Sequence, residues 1–236
     1  MAMSDLAAVV FDLDGTLAHY TLSVEDAVRG ALRRLKLPSD ALGDLASLAR
    51  RYEEIWVEAE EAMRRTGKPI LSLRDRIWAR LLAERGVEER ARLDALPEAY
   101  GSLRLYSVRL MPGAAGLLEA LGNRVHLGLL TNGPSALQWA KIDALGIASS
   151  FDAIVVSGDV GRYKPDPEVF RIALDRLGVS SREALHVGDR FDADIVGAAR
   201  AGMRVAWIRN GDVPPADGPT PDVIVDSLIE LAEVLL

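Results

Sequence analysis

The chain contains no cysteine. That excludes disulfides, thiol nucleophiles and thiolate metal sites, and fits a cytoplasmic protein. Lysine is nearly as scarce: only Lys36, Lys68, Lys141 and Lys164 stand among 28 basic residues. No apolar run approaches the length of a membrane span, and no N-terminal signal segment is evident, so no membrane partner is expected. Positive charge is in deficit. A net charge of −7 argues against a nucleic-acid backbone as partner, yet leaves room for a small phosphorylated ligand whose charge is met locally. Repeats and low-complexity tracts are absent. The 236 residues, 49% of them hydrophobic, suffice for one large domain or two modest ones with an ample core.

The most informative stretch is Asp12-Leu13-Asp14-Gly15-Thr16. It follows an apolar run, 7–11, that reads as a buried strand. Carboxylates at i and i+2 project to the same side of a strand end. Gly15 permits a sharp turn directly after them. Two carboxylates held together repel, so the pair needs a cation, a shared proton, or both.

Beyond Thr16 the strand pattern stops and helices follow. Ser23-Val24-Glu25-Asp26 reads as a helix start, with periodicity to about Lys36 and a stop at Pro38. Ser39 or Asp40 is the expected cap of a long second helix, to about Arg65, with Gly67 as its stop. A third helix is expected from Ser72 to Arg85, ended by Gly86, and more helix from Val87 to Tyr100. From Pro112 the character changes to alternating units. Helices at 113–121, 135–145, 167–177 and 193–201 precede strands at 125–130, 153–156, 184–187 and 204–208. A Gly/Pro-rich loop, a short strand at 223–225 and a terminal helix finish the chain. This alternation implies an α/β fold with a doubly wound parallel sheet to which the first strand belongs. The helical block is then an inserted cap domain, residues 18–106, with the core formed by 1–17 and 107–236.

Polar residues collect at the carboxyl ends of these strands, where open parallel sheets bind ligands. The first strand ends in Asp12, another in Thr131-Asn132-Gly133, and a later one in Gly188-Asp189. Lys164 lies on the same rim, in a loop stiffened by Pro165 and Pro167. Phosphoryl transfer suits this set. Asp12 serves as a nucleophile that forms an aspartyl phosphate. Asp14 protonates the leaving alcohol, then deprotonates the water that clears the intermediate. The carboxylates offered to a metal are Asp12, Asp14, Asp189 and Asp194, the last either as a direct ligand or behind the others. All-oxygen ligands and small size favour Mg²⁺. Thr131, Asn132 and the Gly133 amide are candidates to hold phosphate oxygens, and Lys164 to stabilise charge on the transferring group. A lysine here, in a chain that otherwise chooses arginine, points to a need for a compact charge.

Each residue also has a plainer reading. An Asp at a strand end is often a turn former or cap, and Asp192 reads as a cap. His126 and His186 lie within strands and read as packing residues. His19 and Tyr20 stand where the insertion leaves the sheet and are candidates to face a substrate. Tyr52, Trp56 and Trp78 fit the helical core of the insertion.

Taken together, these residues resemble the haloacid dehalogenase-like hydrolase superfamily over nearly the whole chain. Its four signatures are similar to Phe11-Asp12-Leu13-Asp14-Gly15-Thr16-Leu17, to Leu130-Thr131-Asn132-Gly133, to Tyr163-Lys164-Pro165-Asp166-Pro167, and to Val187-Gly188-Asp189 followed by Asp194 and Gly197-Ala198. Any one match is weak; all four in order, each at a strand end, are specific. The insertion resembles the four-helix cap of the dehalogenase and phosphoglycolate-phosphatase branch. The resemblance implies an α/β, Rossmann-like doubly wound parallel sheet core with an inserted α-helical cap domain, Mg²⁺, and Asp12 as nucleophile.

Fold alone leaves several reactions open. Dehalogenases of this kind need the nucleophilic Asp but neither metal nor a second Asp, so Asp14 and Asp189 favour a phosphatase. Phosphonate-cleaving relatives need a cap lysine, and neither Lys36 nor Lys68 is well placed. Mutases share the core signatures. A phosphoacceptor signalling domain also combines Asp, Thr and Lys around Mg²⁺ but lacks the cap and the first signature. The expectation is a Mg²⁺-dependent phosphomonoesterase for a small phosphorylated metabolite.

Overall fold

A computed structural model describes residues 6–66, 72–86, 94–213, 215 and 217–236. The chain divides into two compact units, Met1–His19 with Arg109–Leu236, and Tyr20–Val108.

The first unit is built on a six-stranded sheet in the order β5-β4-β1-β6-β7-β8. Its strands are β1 (Ala8–Phe11), β4 (His126–Thr131), β5 (Ala153–Val156), β6 (Ala184–Gly188), β7 (Arg204–Ile208) and β8 (Val223–Val225). Every pairing is parallel. A parallel sheet covered on both faces reads as a near-continuous apolar run. Strand β1 meets that demand, with Ala8, Val9, Val10 and Phe11 all fully buried. The chain runs outward from β1 through β4 to β5, then returns to β6 on the other side of β1. The order therefore reverses at β1, the point where such sheets open a crevice at their carboxyl ends. Register aligns those ends: Phe11 lies opposite Leu129 on one side and Val187 on the other. Helices α5 (Ala114–Gly122), α6 (Ser135–Leu145), the short α7 (Ser157–Val160), α8 (Pro167–Leu177), α9 (Val196–Arg200) and α10 (Leu228–Leu235) belong to this unit. Val10, Leu130, Val155, Phe170, Leu174, Ile195 and Trp207 form its core between sheet and helices.

The second unit is helical. Helix α1 (Val24–Arg34) begins where the sequence places it, with the Ser23 side chain accepting from the Asp26 amide, and buries Ala27, Val28, Ala31 and Leu32. Helix α2 (Leu45–Thr66) starts later than Ser39 or Asp40. Gly43 takes a left-handed conformation and short turns occupy 38–43. The cap is Asp44, whose carboxylate accepts from the Ser47 amide at 3.0 Å. Helix α3 (Leu73–Glu84) precedes Gly86 in a left-handed conformation. Helix α4 (Leu96–Tyr106) extends beyond the expected stop at Tyr100. Gly67, Lys68 and the expected helical stretch 87–93 lie outside the described residues. Tyr52, Trp78 and Tyr100 are buried together, ring centroids 5.1 to 5.7 Å apart, and Trp56 stacks on Tyr52.

The two crossings of the chain, β2 (Ala18–Tyr20) and β3 (Val108–Leu110), pair as a two-stranded sheet. No strand was expected there, since three residues carry too little alternation to read. His126, expected to pack, begins β4 with its side chain 58% exposed and hydrogen-bonds Asp152 at 3.2 Å. None of the described helices is long and apolar enough to cross a membrane.

Candidate active site

Asp12 follows β1 directly, its amide bonded to the Val187 carbonyl at 2.9 Å. Its side chain is buried. The chain then turns: the amides of Leu17 and Ala18 both bond the Leu13 carbonyl. Gly15 has φ +87°, and a Cβ there would lie 2.1 Å from the Asp189 carboxylate. Turn geometry and the nearness of Asp189 thus both require glycine. At the end of β6, a Cβ on Gly188 would meet the Asp194 carboxyl within 2.4 Å. These two glycines let three acidic side chains crowd together. One carboxylate oxygen from each of Asp12, Asp189 and Asp194 lies within 4.8 Å of the other two.

Lys164 faces this group and is 2% exposed. A solvated loop lysine is therefore ruled out. Its Nζ donates to Asp12 Oδ1 at 2.5 Å and to Asp194 Oδ1 at 2.6 Å. Asn132 fixes the backbone behind it. The Asn132 amide donates to the Lys164 carbonyl at 3.0 Å, and its oxygen accepts from the Lys164 amide at 2.9 Å and from Ser157 Oγ at 2.7 Å. The Asn132 side chain is thus committed to the lysine loop. Asp194 also accepts from His186 Nε2 at 2.9 Å and from the Arg190 amide at 3.1 Å. Asp192 is exposed and pairs with Arg190 at 3.2 Å.

The acids respond to this crowding in different directions. Burial pushes the Asp12 carboxyl well above its usual range, and the nearby Asp194 and Asp189 add to it against Lys164. Burial, then Asp194, raises Asp189 to about 6. Burial also opposes charge on Asp194, but Lys164 and His186 outweigh it and hold that carboxyl low. Lys164 stays protonated: burial disfavours the ammonium, and Asp12 and Asp194 more than offset it. Asp12 and Asp194 bond one ammonium, and Asp189 crowds beside them. The residual negative charge and the all-oxygen donors fit a divalent cation.

Asp14 stands apart from this trio. Its carboxylate accepts from Lys141 Nζ at 2.7 Å on both oxygens and from Gln138 Nε2 at 2.9 Å. Burial raises its pKa, but the Lys141 ammonium prevails and lowers it. Gln138 Nε2 also bonds Thr131 Oγ1. Thr131 and Gly133 are buried at the end of β4, and the Gly133 carbonyl accepts from the Gly158 amide at 3.1 Å.

A family model described as haloacid dehalogenase-like hydrolase matches residues 6–202. The chain belongs to the haloacid dehalogenase-like hydrolase family. It is 34% identical to the glyceraldehyde 3-phosphate phosphatase of Methanopyrus kandleri, over 98% of this chain and 97% of that protein. Among solved structures, it resembles the 2-haloacid dehalogenase of Pseudomonas syringae pv. Tomato DC3000, with TM-score 0.67, 29% identity and 98% of each chain covered. It also resembles the Bacillus subtilis HAD-hydrolase YfnB, solved bound to magnesium, with TM-score 0.75, 26% identity and 98% of each chain covered. The α/β core with an inserted helical cap is the architecture of this family. The full-length match to a phosphatase supports the reading of this hydrolase as a phosphoric monoester hydrolase.

Residues outside the four signatures also contact these side chains. Gln138 and Lys141 on α6 grip Asp14, and Ser157 steadies Asn132. His186, expected to pack, does pack edge-on against Phe170 but also orients Asp194. One signal pointed to Lys141: in a chain with four lysines, the argument made for Lys164 applies equally to it.

Proposed function

We propose that this hydrolase is a Mg²⁺-dependent phosphomonoesterase that acts on a small phosphorylated metabolite through an aspartyl phosphate on Asp12. The observation that carries the reading is the division of the carboxylates. Asp12 and Asp194 share one lysine with Asp189 crowded beside them, while Asp14 is held separately by another. A nucleophile with its charge screen and an independent proton carrier are the two things phosphoester hydrolysis needs.

Asp12 and Asp189, with Asp194 beside them, are the residues to hold Mg²⁺, which when bound offsets the repulsion between an anionic nucleophile and an anionic phosphate. Lys164 engages one oxygen of Asp12 and leaves the other to attack phosphorus. As that bond forms, the ester P–O bond breaks, and the departing oxygen takes its electron pair and a proton from Asp14. Water then attacks the phosphorus of the aspartyl phosphate, Asp14 takes the water's proton, and the Asp12–phosphorus bond breaks to release inorganic phosphate. The ionised form that Lys141 favours is the one the second step needs. The phosphate dianion of an arriving substrate raises the pKa of Asp14 and so favours the protonated form for the first step. Lys164, Thr131 and the Gly133 amide are the groups for the phosphate oxygens. The inserted helical cap, residues 18–106, is the part to read the leaving group. His19 and Tyr20 are its first trial positions; the Tyr20 ring lies 3.6 Å beneath the Arg104 guanidinium.

The test is release of inorganic phosphate from a panel of phosphorylated metabolites, with Mg²⁺ and then with excess chelator. Turnover of at least one ester that is lost in chelator and restored by Mg²⁺ is expected. Halide release from a 2-haloacid, unaffected by chelator, would overturn the reading in favour of dehalogenation.

A further inference from the structure

We infer that Gln138 and Lys141 are positioning residues that aim the Asp14 carboxylate; this rests on the role of Asp14 in the mechanism above. Both project from α6, three positions apart, and so lie on one helix face. Both are buried, Gln138 at 2% and Lys141 at 9% exposure. Burying an ammonium is costly unless it is paired. Lys141 meets that cost by sitting 2.7 Å from each oxygen of Asp14. Such a symmetric contact fixes the direction in which the carboxylate points toward the protein. Gln138 adds a bond to Oδ2 and carries a second to Thr131 Oγ1. One amide therefore ties the proton carrier to a residue proposed to hold the phosphate.

The exposure of the pair is lopsided. The Asp14 side chain is 39% exposed, while that of Lys141 is 11% exposed. Asp14 is thus gripped from the protein side and open on the other. A pair that existed for stability alone would gain little from this arrangement, since buried ion pairs about break even against apolar replacements. Orientation of a reacting group is different: a displacement of ~1 Å can cost ~10²-fold in rate.

The two chemical steps give a signature that loss of structure would not. With p-nitrophenyl phosphate the leaving phenol needs little protonation, so the first step tolerates a misplaced Asp14. Hydrolysis of the aspartyl phosphate still needs Asp14 as base. Stopped-flow assays of the Mg²⁺-loaded protein should therefore show a new burst in Lys141→Met. About one equivalent of p-nitrophenol per chain is expected to appear, followed by a steady state slowed by ~10 to 10²-fold. Lys141→Arg, which can still donate to both oxygens, should recover part of the second step. In an Asp14→Asn background, Lys141→Met should cost nothing further. Gln138→Leu removes no charge, should show the same burst more weakly, and decides the question if Lys141→Met does not fold. A burst in Asp14→Asn with equal loss of both phases in the Lys141 and Gln138 variants would overturn the inference alone. Absence of a burst in Asp14→Asn itself would overturn the role of Asp14, and the inference with it.

Discussion

The sheet rim and the helical insertion both gather acids around bases, and they do so in opposite ways. On the rim, Asp12 and Asp194 share one buried Lys164, and Asp189 crowds against both. In the insertion, Arg51 and Arg80 meet Glu54, Glu58 and Glu84 at the surface, at 2.6 to 3.2 Å. The acids shift accordingly. Asp12 is pushed up and Asp189 to about 6, whereas the hydrogen bonds from Arg51 carry Glu84 down to about 2. Surface acids with ample arginine partners are satisfied. Buried acids competing for one ammonium are held in an arrangement that costs stability, which is the mark of a site built for chemistry. Contact distance alone does not separate the two regions; burial and the ratio of acids to bases do.

The largest effect should come from the acid at the centre of the crowded set. Asp12→Asn keeps the size of the side chain and removes the nucleophile. Turnover should fall by ~10³-fold or more, the scale seen when a covalent catalyst is removed. Phosphate release from the best substrate of the panel measures it. The same change relieves the repulsion on the rim, so the variant should fold at least as well as the parent. Turnover close to that of the parent would break the comparison at its root.

Lys164→Met tests the other side of the balance. Removing the shared ammonium leaves Asp194 buried and short of a partner. Loss of one partner from a buried ion pair costs ~3–5 kcal/mol. Chemical denaturation in chelator should show a drop of that order. Arg51→Met in the insertion should change the same measurement far less, because its pairs are solvated. Comparable losses from the two substitutions would erase the distinction drawn between the regions.

The rim was legible in the sequence and the insertion less so, for a physical reason. Chemistry fixes residue type and spacing: Asp12, Asp14 and Asp189 follow strands, Thr131 ends one, Lys164 lies in the loop beyond another, and apolar runs such as 7–11 declare the strands. The parallel sheet and its inserted helices could therefore be read with no structure in hand. What could not be read were contacts made through space by residues outside the signatures. Gln138 and Lys141 look like ordinary helix residues until α6 is laid beside the turn that holds Asp14. His186 looks like a strand residue until Asp194 folds back to meet it, with Gly188 making room. Asn132 read as a phosphate ligand, and only tertiary structure shows its side chain spent on the Lys164 backbone. In the insertion, the start of α2 slipped from Asp40 to Leu45 because several residues nearby can cap a helix, and only the left-handed Gly43 selects Asp44. The paired crossings β2 and β3 are too short to leave a pattern.

Asp189→Asn sharpens the comparison by separating metal binding from folding. In chelator, the raised pKa of Asp189 makes its ionised form unfavourable in the folded state. A raised carboxyl favours folding at pH below its ordinary value of 3.8, and that benefit is lost as pH rises through about 6. At neutral pH without metal, Asp189→Asn should therefore melt at a higher temperature than the parent. With Mg²⁺ the order should reverse or close, since bound metal stabilises only the protein that holds it. The half-saturating Mg²⁺ concentration for activity should rise at least tenfold, in line with the loss of one anionic ligand. Thermal melts and Mg²⁺ titrations of activity, run side by side, give both numbers. A variant that loses stability equally with and without Mg²⁺ would show Asp189 to be a structural residue.

The smallest effect belongs to the surface network of the insertion, and its sign is opposite. Glu84 has its folded pKa depressed from 4.5 to about 2. Its contribution is therefore present in full above pH 4.5 and fades as pH falls through about 2. Acid should loosen the insertion by this route, whereas acid relieves Asp189 on the metal-free rim. Glu84→Gln removes the titrating group and keeps the side-chain length. At neutral pH and low salt, the substitution should lower the helical melting temperature by a few degrees at most, because Arg51 and Arg80 keep Glu54 and Glu58. In ~1 M salt, where charges are screened beyond ~3 Å, that difference should shrink. Circular dichroism at 222 nm, followed from pH 7 to pH 2 in chelator, distinguishes the two regions by slope. Parent and Glu84→Gln curves should converge as pH falls below 4.5, while parent and Asp189→Asn curves should converge as pH falls below about 6. If both pairs converged in the same range, the opposite charge balances of rim and insertion would not be what sets their stability.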